Sequence, residues 1–254
     1  MRIWSAAIAA LLVVATPAQG AELNDLYAEV LTRHTRASGD VAGTRVDYAG
    51  LRGDPLWKTL LGALAEAEPA ADDRNAQLAY WINAYNILAI DVVVQHYPVA
   101  SIRDVGSLLR PVWKIEAGRA GGRALSLDEI EHGILRPMGE PLVHMAIVCA
   151  STSCPSLARE PYRADRLDSQ LDAAARGFVA SPAKGARADA RRLRLSKIFD
   201  WFGKDFAASG GVVAFVRRHA ESGLRAEIGA LGSDPKLDWF DYDWSLNGTG
   251  RPPP

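Results

Sequence analysis

A long apolar stretch from about Arg74 to Tyr97, closed by Pro98, limits most strongly what this chain can fold into. It is apolar on nearly every face, so a helix built from it must be enclosed. Asn83, Asn86 and Asp91 lie inside the run, and each would be costly in hydrocarbon. The stretch is therefore expected to be the central core helix of a globular domain. Asp91 needs a cation or several N–H donors there, with Arg136 and Arg103 as candidate cations.

The remaining segments supply elements to pack around it. Leu23, Leu26, Tyr27, Val30 and Leu31 repeat with helical spacing. Asp54-Pro55 reads as a cap followed by proline at the first helical position, opening a helix that ends near Pro69. Thr44 to Tyr48 reads as a short strand. Val112–Ala117 and Arg123–Leu125, around Gly121-Gly122, read as a hairpin. Ser126 and Glu129 have capping-box spacing, opening a helix with a Leu127, Ile130 and Ile134 stripe that stops at Pro137. Leu142 to Cys149, rich in β-branched and apolar residues, is the best strand candidate. Helices are expected over Asp165–Val179, Lys197–Ala207 and Gly211–Ala220, with strands at Leu193–Leu195 and Leu237–Trp244. The predicted class is α+β: a small, mostly antiparallel sheet packed by several helices around one long buried helix.

The start of the chain has a short positive region, an apolar run to Ala15, and Ala18-Gln19-Gly20. This is the pattern of a secretory signal cleaved before Ala21. The expectation is a signal over residues 1–20, one globular domain over 21–247, a frayed tail over 248–254, and a periplasmic or secreted location. The formal net charge of −1 gives the molecule as a whole no attraction to nucleic acid or anionic lipid. Arg187, Arg191, Arg192 and Arg194 read as the solvated face of a strand. No integral membrane segment is expected once the signal is removed. The expected partner is a small molecule, peptide or glycan of the envelope.

Several ordered blocks carry a resemblance. They are Tyr80-Trp81-Ile82-Asn83-Ala84-Tyr85-Asn86, Leu125 through His132 to Leu135-Arg136, and Val143-His144-Met145-Ala146 leading to Cys149 and Cys154. Leu195 to Phe199 and Tyr242 to Asn247 complete the set. Together, over about Asn75 to Asn247, they resemble the family of domains of unknown function numbered 547. The resemblance implies a domain and no reaction.

The chemistry must come from the residues. Gly-x-Ser-x-Gly, His-Glu-x-x-His and phosphate-binding Gly-rich signatures do not occur in the sequence. Glu131, His132, His144, Cys149 and Cys154 cluster in sequence. Three readings compete for them. Cys149 and Cys154 form a disulfide, as expected of an exported chain whose only cysteines these are. Or one thiol is a nucleophile with a histidine base. Or two His and two Cys bind zinc, although their spacing fits no standard module. In the second reading, strand alternation puts His144 and Cys149 on opposite faces. This favours Cys149 with His132, and Cys154 with His144 as the swapped pair. Cys154 before Pro155 could sit at a helical N-cap that lowers its pKa. Asn83 and Asn86 share one side of the core helix; they either tie it to backbone or orient the histidine or an oxyanion. No residue pattern calls for a cofactor. The non-catalytic alternative is a binding cleft held by the Cys149–Cys154 bridge and lined by Tyr80, Trp81 and Trp113.

Overall fold

Helix α4, Arg74–His96, forms the axis of the larger core cluster, with every side chain from Leu78 to Val94 buried. In a computed structural model, residues 17–189 and 191–250 are described; the expected signal peptide up to residue 16 and the last four residues lie outside them. Helix α1 (Pro17–His34) leads into β1 (Thr35–Ala37), which pairs antiparallel with β2 (Thr44–Val46). Short α2 (Tyr48–Gly53) and α3 (Pro55–Glu66) precede α4. The start of α3 follows from its residues: Asp54 accepts from the Leu56 N–H at 2.8 Å, and Pro55 lacks the N–H that a first-turn residue would leave unpaired. Asp73 caps α4 in the same way.

Asp91 takes neither Arg103 nor Arg136. Trp57 Nε1–H donates to it at 2.9 Å and Gln95 donates from the next turn. Two neutral donors suffice because burial pushes the Asp91 carboxyl above the usual carboxylate range, and these bonds only partly bring it down.

Strands β3 (Glu116–Ala120) and β4 (Arg123–Ser126) form the expected hairpin. Gly121 and Gly122 have φ of +59° and +69°, which a two-residue hairpin turn requires. The Ser126–Glu129 capping box also forms: the Ser126 N–H and hydroxyl both donate to the Glu129 carboxylate, and the Glu129 N–H donates to Ser126 Oγ. The helix it opens is a π-helical segment, Glu129–Leu135, running into the Arg136–Met138 turn.

The second core cluster gathers α5 (Leu167–Val179), α6 (Lys197–Trp201) and α7 (Val212–His219) around Phe199, Phe206 and Phe215. Strand β5 (Ala186–Ala188) pairs antiparallel with β6 (Arg192–Leu195), and β6 pairs parallel with β7 (Lys236–Trp239) after α8 (Ser222–Ala230). The architecture is α+β, with the strands divided among three small sheets. Beyond Trp239 the expected final strand gives way to irregular chain. Gly248, assigned above to a frayed tail, bridges to Val46, and the Thr249 N–H bonds the Val46 carbonyl at 2.9 Å.

The best strand candidate of the sequence is not a strand. Pro141–Met145 forms a 3-10 turn, capped by the Glu140 carboxylate on the Leu142 N–H, and irregular chain continues to Cys149. Met145 packs in the second cluster while Val143 and Ala146 to Val148 pack in the first. Burial on both sides, between two cores, gives this run its continuous apolar character. Periodicity cannot separate that from a buried strand.

Candidate active site

Chain 146–154 reaches its position through Asn86. Its side chain is 1% exposed, donates to the Ala146 carbonyl at 3.0 Å and accepts from the Val148 N–H at 2.8 Å. Asn83 does the same for Tyr162, donating to its carbonyl and accepting from its N–H. Both amides thus tie the core helix to neighbouring backbone, and neither touches a histidine. Asn86 is a positioning residue one step from Cys149.

Past Cys149 the chain turns at Ala150, whose φ of +58° is left-handed. A non-glycine residue held there costs about 1 kcal/mol, strain that recurs at functional sites. The C-terminal segment braces this turn. The Thr152 N–H bonds Ser245 O, the Ser153 N–H bonds Asp243 O, and the Asn247 N–H bonds Ala150 O. That pairing delivers Tyr242 to the two sulfurs.

Cys149 and Cys154 are free thiols with their sulfurs 2.6 Å apart. Four groups able to donate converge on Cys154 Sγ. These are Cys149 Sγ, the Cys149 N–H at 3.1 Å, Ser151 Oγ at 3.2 Å and Tyr242 Oη at 3.2 Å. A neutral thiol needs an acceptor for its own proton; a sulfur ringed by donors is suited to be an anion. Burial pushes the Cys154 thiol up, but the hydrogen bonds from Cys149, Ser151 and Tyr242 outweigh it and bring it below the ordinary thiol range. Cys149 moves the opposite way, raised by its bond to Cys154 and by burial. The donors around Cys154 Sγ thus favour the negative charge on Cys154 and the remaining proton of the coupled pair on Cys149. Burial keeps Tyr242 protonated. No helix follows Pro155, so the expected N-cap plays no part in lowering the Cys154 pKa.

Below the turn, Lys184 is 3% exposed and donates to the carbonyls of Cys154 at 2.6 Å and Ala42 at 3.0 Å. Burial pulls its ammonium down to about 8, opposed by the charge on Cys154. A cation under the cysteine loop favours the thiolate in turn.

The thiols lie in a cleft of about 210 Å³ with Tyr85, Glu131, His132, His144, Trp113, Trp201, Phe202, Tyr242 and Trp244 on its walls. Trp201, Tyr242 and Trp244 pack ring on ring, 4.5 to 5.8 Å between centroids. The residues singled out in sequence thus share one cleft, but not as the expected pairs. Among the described residues neither sulfur has a histidine within hydrogen-bond distance. Cys149 with His132 and Cys154 with His144 are therefore not formed as dyads. The strand alternation used to choose between them does not apply to a 3-10 turn. No three His, Cys, Asp or Glu side chains among the described residues are arranged to hold a metal ion. Of the aromatics expected to line a binding cleft, Trp113 does. Tyr80 and Trp81 are buried elsewhere, Tyr80 donating to the Ala67 carbonyl.

The histidines belong to a separate network. His144, 2% exposed and stacked 4.2 Å from Phe202, donates through Nε2–H to Asp205 at 2.8 Å. Arg136 grips both Asp205 oxygens, at 2.6 and 2.9 Å, and donates to His132 Nδ1 at 2.9 Å. Arg136 holds Asp205 at about 2, firmly ionised. An ionised acceptor fixes His144 as the Nε2–H tautomer, leaving Nδ1 as its basic nitrogen. Burial lowers the His144 pKa more than Asp205 raises it, so the ring is neutral near pH 7.

Glu131 lines the cleft beside a second carboxyl, Asp128. Burial of its carboxyl, against the opposing pull of Arg136, raises it to about 7. Tyr85 Oη lies 3.5 Å away.

Tyr242, Ser151, Asp205 and Lys184 were not legible as site residues. Tyr242, Asp205 and Lys184 meet partners far along the chain; Ser151 lies within three residues of both sulfurs, but no motif marks it. The cysteine pair did carry a signal, being the only two in the chain.

No curated protein and no solved structure matches the chain. Residues 69–179 match the model described as protein of unknown function, DUF547, a segment holding α4, the hairpin and both cysteines and ending before Asp205 and Tyr242. Through that segment, the chain is similar to the DUF547 family of proteins of unknown function.

Proposed function

We propose that the protein is an exported thiol catalyst, a hydrolase or acyl transferase acting on an ester, thioester or amide of the cell envelope. The supporting observation is the 2.6 Å approach of a cleft-lining thiol, Cys149, to a sulfur ringed by donors, Cys154. Export rests on the N-terminal sequence alone.

In this reading Cys154 does for Cys149 what histidine does in other thiol enzymes. The Cys149 proton moves to Cys154 as the Cys149 sulfur bonds to the carbonyl carbon. The carbonyl π electrons go to oxygen, beside the Tyr242 hydroxyl. They return as the bond to the leaving group breaks, and Glu131, partly protonated near neutral pH, gives that group its proton. Water or an acceptor nucleophile then gives its proton to the Glu131 carboxylate and takes the acyl group, and the departing Cys149 sulfur recovers its proton from Cys154. The aromatic and aliphatic walls favour an apolar acyl or aryl group.

The 2.6 Å approach of the sulfurs favours one second reading: oxidation joins them and leaves a binding scaffold. An activated thioester separates the two. Reduced protein incubated with it should gain one acyl mass on Cys149, removable by hydroxylamine, and Cys149→Ser should gain none. Absence of an adduct on fully reduced protein, or an adduct that persists in Cys149→Ser, overturns the catalyst. Protein isolated without reductant that lacks two hydrogens, and still binds apolar ligands, supports the scaffold.

A further inference from the structure

Residues 106–112 form a loop that closes on itself at its base. The Ser107 N–H bonds the Arg110 carbonyl at 2.9 Å, the Arg110 N–H bonds Ser107 Oγ at 3.0 Å, and a Cβ on Gly106 would strike the Val112 nitrogen. The tip is Leu108-Leu109, at 102% and 99% exposure; the next most exposed large apolar residue described, Trp201, reaches 47%. Two adjacent leucines held fully in water by a tight turn have no fold to stabilise. They are the kind of apolar projection that a partner covers.

Charge indicates which partner. Arg103, Arg110 and Lys114 flank the tip and are all exposed; the acids of the same stretch are Asp104, whose carboxylate accepts from the Ser101 N–H, and Glu116 at its far end. The near-neutral molecule has no overall attraction to anions, so this attraction is local. Apolar side chains ahead of a ring of cations match a bilayer surface with anionic headgroups: the leucines enter the acyl boundary while the cations meet phosphates. The turn also leads directly into Val112–Lys114, which carries Trp113 on the cleft wall, and Arg103 lies over the Trp244 ring at 5.1 Å.

We infer that the Leu108-Leu109 turn is a peripheral membrane-docking tip that seats the cleft against an anionic lipid surface. The inference stands on exposure and charge and does not require the thiol chemistry. Helix α4, the one described helix long and apolar enough to span a bilayer, is enclosed in the core, so contact is at the surface only.

Co-flotation of the full chain with vesicles tests it. The protein should float with phosphatidylcholine vesicles containing phosphatidylglycerol, and less with phosphatidylcholine alone. The double variant Leu108→Ser/Leu109→Ser should lose binding on the order of tenfold or more. Arg110→Gln/Lys114→Gln should lose the preference for phosphatidylglycerol and the weakening by salt. Because the leucines pack on nothing, the double serine variant should melt like the parent, which separates lost docking from lost folding. No flotation of the parent, or undiminished flotation of the double serine variant, overturns the inference. So does a parent dimer that the double serine variant dissolves, found without vesicle binding: the tip then meets a second copy.

Discussion

Replacing Asn86 with alanine should lower the unfolding free energy by about 4 kcal/mol. The amide is buried in the middle of α4 and satisfies two backbone groups of another segment, Ala146 O and Val148 N–H. Alanine leaves both without a partner and out of reach of water, at roughly 1–3 kcal/mol each, and adds a small cavity. The loss should appear as a lower urea midpoint with little change in slope. A second consequence distinguishes Asn86 from a merely structural amide. Chain 146–148 leads directly to Cys149, so the variant should also raise the pH at which the sulfur pair ionises. Asn83→Ala, whose partner is Tyr162, should destabilise without moving that pH.

The second large effect has the opposite sign. Glu131→Gln should stabilise the protein by about 3 kcal/mol at pH 8 and change little at pH 4. The carboxyl is raised to about 7 in the folded chain, chiefly by burial. Below its unfolded pKa, near 4.3, both states hold the proton and no difference arises. As pH climbs from there toward 7 the unfolded chain releases it while the folded chain keeps it. Stability attributable to this residue therefore falls across that window and stays low above it. Glutamine keeps the shape and the contact with Tyr85 but cannot ionise. Urea titrations of both proteins at the two pH values should show their curves separating only on the alkaline side. If Glu131 also serves as the acid, the glutamine form should lose acyl turnover while gaining stability.

Local chemistry made part of this molecule legible in its sequence. The Asp54-Pro55 start, the Ser126–Glu129 box and the Gly121-Gly122 turn are each settled within a few residues, and each forms as expected. The core helix was legible because a run apolar on all faces has few places to go. Leu142 to Cys149 was not, since burial between two clusters mimics a strand. The site divides along the same line. Cys149, Cys154, Glu131, His132 and His144 do share a cleft. Their partners were out of reach, because Asp205 meets His144 and Tyr242 meets the sulfurs only after the chain has passed through the second cluster. A histidine was the expected base because thiols usually need one. In the proposed reading the second sulfur, favoured as an anion by the donors around it, takes that role.

The alkylation rate of the reduced protein, followed by mass spectrometry across pH, tests that account most directly. Because Cys154 takes the Cys149 proton as Cys149 attacks, labelling of Cys149 should follow ionisation of Cys154 and reach its plateau well below pH 8.5, the ordinary thiol value. Cys154→Ser should shift the profile up to that value or above, and His132→Ala should leave it where it is. An ordinary profile in the parent protein, or one that collapses on His132→Ala, would contradict a proton shared between the two sulfurs.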